Sequence, residues 1–118
     1  MKRILIADDA AFMRKSIKSI LCRNGHEVVG EAKNGKDALE KFEKLSPDVI
    51  TMDITMPEMD GLTSLKEILA RDATANVVMV TSLGQEKLMR EAVLTGAKGF
   101  IVKPFKEDTI LAALERFA

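Results

Sequence analysis

The fold of this chain is decided by the stretch at residues 48–61, DVITMDITMPEMDG. Its apolar run at 49–52 is continuous rather than alternating, which is typical of a strand buried on both faces of a parallel sheet. The run ends at Asp53, where an unpaired charge so close to the interior would be costly. Pro57 and Gly61 belong to the loop that follows. The stretch therefore predicts a buried strand with a carboxylate at its carboxyl end.

Four more apolar runs of strand length lie along the chain, most of them rich in β-branched residues. They cover residues 4–7, 28–29, 77–80 and 100–102. The run at 28–29 is the weakest, because Glu27, Gly30 and Glu31 flank it, and we expect it at an edge of the sheet. Together with the run at 49–52, these patterns predict five strands.

Between the strands, apolar residues recur with the 3.6-residue period of amphipathic helices. These stripes cover residues 13–21, 38–45, 62–69, 88–93 and 110–117. We expect Asn34 to cap the second helix, Gly25 and Gly96 to end the first and fourth, and the fifth to run to the end of the chain. Five strand-then-helix units predict an α/β fold, with a parallel sheet between helices, in a single domain over residues 1–118.

Composition argues against several classes of protein. Eighteen Lys and Arg residues balance 18 Asp and Glu residues, and no basic block stands out, which argues against nucleic acid as a ligand. The single cysteine, Cys22, allows no internal disulfide and is expected to be partly buried on the first helix. No apolar run approaches the ~20 residues of a membrane helix, and the apolar start is too short for a signal peptide. We therefore expect a cytoplasmic protein that binds neither nucleic acid nor membranes.

Side chains able to do chemistry follow four of the five predicted strands. They are Asp8 and Asp9, then Asp53, then Thr81 with Ser82, and finally Lys103. Because the carboxyl ends of parallel strands meet at one edge of a sheet, we expect these residues to share a crevice. Three carboxylates would raise at least one pKa unless a cation lies among them, and hard oxygen ligands suit Mg²⁺. Carboxylates, Mg²⁺ and a lysine together indicate phosphoryl transfer, with one carboxylate as the nucleophile.

Three segments of the sequence then resemble one family. They are LIADD at 5–9, the stretch at 48–61 quoted above, and GAKGFIVKPF at 96–105. Together they resemble the receiver domain, the phospho-accepting half of two-component signalling, over essentially the whole chain. AAFMR at 10–14 and MPEM at 56–59 are most similar to chemotaxis regulators of the CheY type. The resemblance implies a flavodoxin-like (βα)5 doubly wound fold with strand order 2-1-3-4-5, which flavodoxin and CheY share.

The resemblance also implies a role for each acidic residue. Asp53 would be the phosphorylated aspartate. Asp9 and Asp53 would ligate Mg²⁺ directly, together with the backbone carbonyl of Thr55, and Asp8 would hold a metal-bound water. The positions of Ile54, Thr55 and Leu83 vary in the family and influence the lifetime of the phosphorylated state, so that lifetime is not predicted.

A second set of implied roles concerns the response to phosphate. Lys103 would contact the phosphoryl group, with a cis peptide bond to Pro104. Thr81 would bond a phosphoryl oxygen, and Phe100 would be the aromatic side chain that switches rotamer. The sequence departs from the chemotaxis pattern at two positions: Phe100 stands where many relatives have Tyr, and Ser82 stands where a smaller Ala is common.

The partners implied are those of a signalling receiver, not of an enzyme, although a receiver assists its own phosphorylation and dephosphorylation. They are a CheA-like histidine kinase as phosphodonor, a flagellar-motor switch or other output protein, and a phosphatase, with the chain acting as a monomer. Three alternatives stay open. The chain could be a receiver excised from a larger regulator. A Mg²⁺-dependent aspartyl-phosphate phosphatase usually has an acid where Thr55 stands, and a nucleotide- or flavin-binding enzyme needs a glycine-rich turn that residues 9–11 lack.

Overall fold

The computed structural model of the chain describes residues 1–117, in which five β-strands alternate with five α-helices. In chain order they are β1 (Arg3–Ala7), α1 (Ala11–Arg23), β2 (Glu27–Ala32), α2 (Gly35–Leu45), β3 (Val49–Asp53), α3 (Gly61–Arg71), β4 (Val77–Ser82), α4 (Glu86–Thr95), β5 (Gly99–Lys103) and α5 (Glu107–Glu115). The α/β class predicted from the apolar runs and stripes is confirmed.

The five strands form one parallel sheet in the order β2-β1-β3-β4-β5, as the flavodoxin-like class requires. β3 lies at its centre, and all five of its residues are buried. The edge position expected for the run at 28–29 is confirmed, but β2 is six residues long. It extends beyond its apolar pair because its backbone pairs with all of β1, from Arg3 opposite Glu27 to Ala7 opposite Ala32.

Two apolar clusters cover the two faces of the sheet. Helices α2, α3 and α4 pack on one face, where Ile50 and Met52 of β3 point. Helices α1 and α5 pack on the other face, together with Val49 and Val78. Side chains of a strand alternate between faces, so β3 contributes to both clusters. The sheet is therefore doubly wound, and Asp53, at the end of its central strand, is buried.

Helix ends follow the sequence signals in most places. Asn34 caps α2, as expected, because its Oδ1 accepts a hydrogen bond from the Asp37 N–H at 2.7 Å. The fifth helix was expected to run to the end of the chain, which is wrong: α5 ends at Glu115, and Phe117 lies in a turn while packing on the α1–α5 cluster. Ala118 lies outside the described residues.

The single cysteine and the length of the helices bear on what was expected from composition. Cys22 is exposed rather than partly buried, because it points away from the buried face of α1 formed by Ile17, Ile20 and Leu21. Within residues 1–117, none of the helices has the length and apolar character needed to cross a bilayer.

Candidate functional site

The predicted residues do meet at the carboxyl edge of the sheet. Asp8 directly follows β1, Asp53 is the last residue of β3, and Lys103 is the last residue of β5. Thr81 lies in β4, between the strands that end in Asp53 and Lys103. The parallel topology therefore brings together four residues that are separated by up to 95 positions in the sequence.

The centre of the site is a cluster of three carboxylates. Asp8, Asp9 and Asp53 each offer an oxygen, and these oxygens all lie within 4.8 Å of one another. Asp8 is 1% exposed and Asp53 is 7% exposed, whereas Asp9 is open to solvent. Burial, and then the charge of Asp8, raise the pKa of Asp53 to about 6, against the opposing charge of Lys103. The cluster is short of positive charge.

Among residues 1–117, Lys103 is the cation whose side chain contacts the carboxylates of this cluster. Its Nζ donates a hydrogen bond to Asp8 Oδ2 at 3.0 Å and lies 3.5 Å from Asp53 Oδ2. The peptide bond from Lys103 to Pro104 is cis, as the family resemblance implies. If all three carboxylates are ionised, the single Lys103 ammonium leaves the cluster with a formal charge of −2. A divalent cation would balance the remainder.

The loop between β3 and α3 is held close to the strand end. The Gly61 N–H donates to the Ile54 carbonyl at 2.7 Å, and a Cβ at Gly61 would overlap the Asp53 carbonyl oxygen. The Gly35 N–H donates to the Met59 carbonyl at 2.7 Å, which ties the loop to the start of α2. Thr55 lies in this loop, exposed, two residues beyond Asp53. That its carbonyl is a metal ligand stays a prediction.

Thr81 is buried, and its hydroxyl is engaged by a residue that the sequence analysis missed. The Thr81 hydroxyl donates to Gln85 Oε1 at 2.9 Å, and the Ser82 N–H donates to the same oxygen at 2.7 Å. Gln85 Nε2 in turn donates to Thr55 Oγ1 at 2.6 Å. A lone polar residue before a helix carries no signal of these partners. We call this set of three hydrogen bonds the Gln85 bridge.

Phe100 lies on β5 with 52% of its surface exposed. It borders an apolar cavity of about 300 Å³. The residues that line this cavity are Thr81, Ser82, Leu83, Glu86, Met89, Arg90, Phe100 and Val102. Thr81 and Phe100, the two predicted switch residues, therefore face a common empty space between β4, β5 and α4.

Comparison with known proteins agrees with this geometry. Residues 4–115 match the family model of the response regulator receiver domain. The chain is 57% identical over 114 residues to the chemotaxis protein CheY of Bacillus subtilis (strain 168), over 97% of this chain and 95% of that protein. It is 50% identical over 115 residues to the chemotaxis protein CheY of Thermotoga maritima, over 98% of this chain and 96% of that one. A crystal structure of the CheX-CheY-BeF3-Mg+2 complex from Borrelia burgdorferi superposes with a TM-score of 0.92 and 36% identity, covering 97% of this chain and 87% of that chain.

Proposed function

Because the chain belongs to the response regulator receiver domain family, we propose that it accepts a phosphoryl group on Asp53 and thereby changes its affinity for a partner protein. The observation that carries this proposal is the position of Asp53. It lies at the end of the central strand, beside two other carboxylates and 3.5 Å from the Lys103 ammonium. CheY-like receivers are signalling proteins, and the proposed output is a binding change rather than a released product.

The donor set fits Mg²⁺. Receiver domains bind this ion at an acidic pocket, and three carboxylate oxygens within 4.8 Å of one another form such a pocket here. We assign direct ligation to Asp9, Asp53 and the carbonyl of Thr55, and a bound water to Asp8. When bound, the ion would neutralise charge on the phosphoryl oxygens during transfer.

The positions of Asp53 and Lys103 support a direct transfer of the phosphoryl group to Asp53. A carboxylate oxygen of Asp53 attacks the phosphorus of a phosphohistidine on the kinase, and the P–N bond breaks as the new O–P bond forms. The bonding electron pair stays on the imidazole, which takes a proton from solvent. Lys103, already between Asp8 and Asp53, can follow the new charge and pair with a phosphoryl oxygen. Water would later hydrolyse the acyl phosphate, which restores the Asp53 carboxylate and releases inorganic phosphate.

The conformational change would spread from Asp53 through β4 to β5. The Thr81 hydroxyl would move to donate to a phosphoryl oxygen, which vacates space beside β4. Phe100 would then turn inward into the cavity that it shares with Thr81, since an apolar ring gains from burial. The surface of α4, β5 and α5 would differ between the two states, and a partner that prefers one of them would shift the population.

The partners are proposed from the relatives. The chemotaxis protein CheY relatives favour a CheA-like histidine kinase as donor and a flagellar-motor switch or other output protein as target. The structure of a CheX-CheY complex favours a further protein partner, which we propose to be a phosphatase. A cytoplasmic location, a monomeric state and a single receiver domain over residues 1–118 stay predictions.

Mass spectrometry tests the assignment of Asp53. Incubation with acetyl phosphate and Mg²⁺ should add one phosphoryl group, with loss of acetate, and chelation of the metal should abolish the addition. Asp53→Asn should remove the modification, because its amide is not a nucleophile, while leaving the carboxylates of Asp8 and Asp9 in place. A modification that persists in Asp53→Asn, at any site, contradicts the assignment.

A further inference from the structure

Gln85 joins two segments that flank the phosphorylation site. It lies directly before α4, and its backbone carbonyl accepts from the Met89 N–H at 2.9 Å. Its side chain does not cap α4. Instead the side chain reaches back to the end of β4, at Thr81 and Ser82, and across to Thr55 in the loop after β3. The start of α4 is therefore tied to both strand ends that border the site.

The direction of every hydrogen bond in the Gln85 bridge is determined by chemistry. The backbone N–H of Ser82 can only donate, so the Gln85 atom facing it is the amide oxygen. That oxygen carries no proton, so the Thr81 hydroxyl must be the donor in the second bond. The amide nitrogen is left to donate to Thr55 Oγ1. The Thr81 hydroxyl also lies 3.4 Å from the Ser82 carbonyl oxygen, but the Gln85 oxygen, at 2.9 Å, is its nearer acceptor and takes its one proton.

A phosphoryl group on Asp53 would offer Thr81 acceptor oxygens only. One hydroxyl proton cannot make full-strength hydrogen bonds to both Gln85 and a phosphoryl oxygen. We propose that Gln85 is a positioning residue that holds Thr81 in the unphosphorylated arrangement, so that phosphorylation must break the Thr81–Gln85 hydrogen bond and thereby loosen the Gln85 bridge at the start of α4. This inference rests on the proposed function. It assigns to Gln85 control over how readily Thr81 rearranges when Asp53 is phosphorylated.

The test uses Gln85→Met in the full chain. Methionine keeps the length of the side chain and removes both its hydrogen-bonding groups. Lys87→Met is the matched control, because Lys87 is exposed on α4 and its side chain makes no hydrogen bond or ion pair with any residue in 1–117. The probe is beryllium fluoride with Mg²⁺, a phosphoryl mimic, titrated into each variant and followed by amide NMR.

Gln85→Met should bind the mimic about 3- to 10-fold more tightly than the wild type, the range expected when one neutral hydrogen bond no longer has to be broken. The Ser82 amide proton should shift upfield in the free variant, because it loses its acceptor. Lys87→Met should change neither quantity. A merely structural role for Gln85 would not produce tighter binding.

A double-mutant cycle with Thr81→Val completes the test. Without the Thr81 hydroxyl there is no bond to release, so Gln85→Met should then leave the affinity for the mimic unchanged. Equal affinities of wild type and Gln85→Met, or the same gain with and without the hydroxyl, overturn the role of Gln85 while leaving the proposed function intact. If the wild type binds no beryllium fluoride with Mg²⁺, both proposals fail together.

Discussion

Helices α3 and α4 flank the same edge of the sheet but are buried to very different extents. α3 buries five of its 11 residues, whereas α4 buries two of its 10, Met89 and Ala92. The start of α3 is also bonded to its neighbours: Ser64 Oγ donates to the Gly35 carbonyl at 2.8 Å. Over α4, by contrast, Leu88, Val93 and Leu94 remain exposed.

This difference indicates where the protein can move. Segments with few buried apolar contacts open at a lower free energy than those in the core. Asp53 lies between the two: on the α3 side its loop packs against backbone, and on the α4 side a cavity of about 300 Å³ adjoins Thr81. We therefore expect α3 and its loop to act as the fixed side of the site and α4 as the responsive side.

The largest expected effect comes from crowding the fixed side. Gly61→Ala places a Cβ against the Asp53 carbonyl oxygen, so backbone must shift, and we expect a loss of about 3 kcal/mol in the free energy of unfolding. Gly84→Ala, before α4, meets no atom within 4 Å and should lose only about 1 kcal/mol, through its φ of +93°. Urea denaturation measures both. Equal losses would mean that the two sides are equally constrained.

The next effect concerns the charge of Asp53, which lies between the fixed α3 side and the responsive α4 side. The folded-state pKa of Asp53, about 6, lies above its ordinary 3.8, so the folded protein binds more protons between these values. The contribution of Asp53 to the free energy of unfolding should therefore fall as the pH rises from 4 to 6 without metal. Asp53→Asn removes this loss, and we expect it to be more stable by about 1 to 2 kcal/mol at pH 7, allowing for solvent screening.

Denaturation in a chelator across pH 4–7 measures this difference, which should shrink towards pH 4. In saturating Mg²⁺ the wild type should instead become more stable than Asp53→Asn, since the ion binds the folded carboxylate cluster. Parallel stability profiles for the two proteins across this range would contradict a raised pKa at Asp53.

The smallest expected effect compares two buried threonine hydroxyls. Thr51 Oγ1, in β3, has no hydrogen-bond partner among residues 1–117, whereas the Thr81 hydroxyl bonds Gln85. Thr51→Val keeps the shape and removes an unsatisfied polar group, so we expect a gain of about 1 kcal/mol. Thr81→Val should lose a similar amount. Thermal or urea unfolding compares them, and a loss for Thr51→Val would show that its hydroxyl is satisfied in solution.

Prediction from the sequence succeeded where local pattern suffices. The continuous run at 49–52 is a central strand, and Asn34 caps α2. The meeting of Asp8, Asp53 and Lys103 followed from topology, since parallel strands present their carboxyl ends at one edge. The extent of β2 and the end of α5 were not predictable in this way. The extent of β2 depends on its pairing with β1. The end of α5 depends on a turn that the spacing of apolar residues does not predict.

By itself, the sequence determined the alternation of strands and helices, the acidic edge of the sheet and the family. These depend on which residues are apolar and at what spacing, and that information is local. Only the tertiary structure decided that Gln85 engages Thr81 and Thr55, that burial raises the pKa of Asp53, and that α4 is thinly covered. Each depends on how elements far apart in the chain direct their side chains at one another, and on how much water their packing leaves between them.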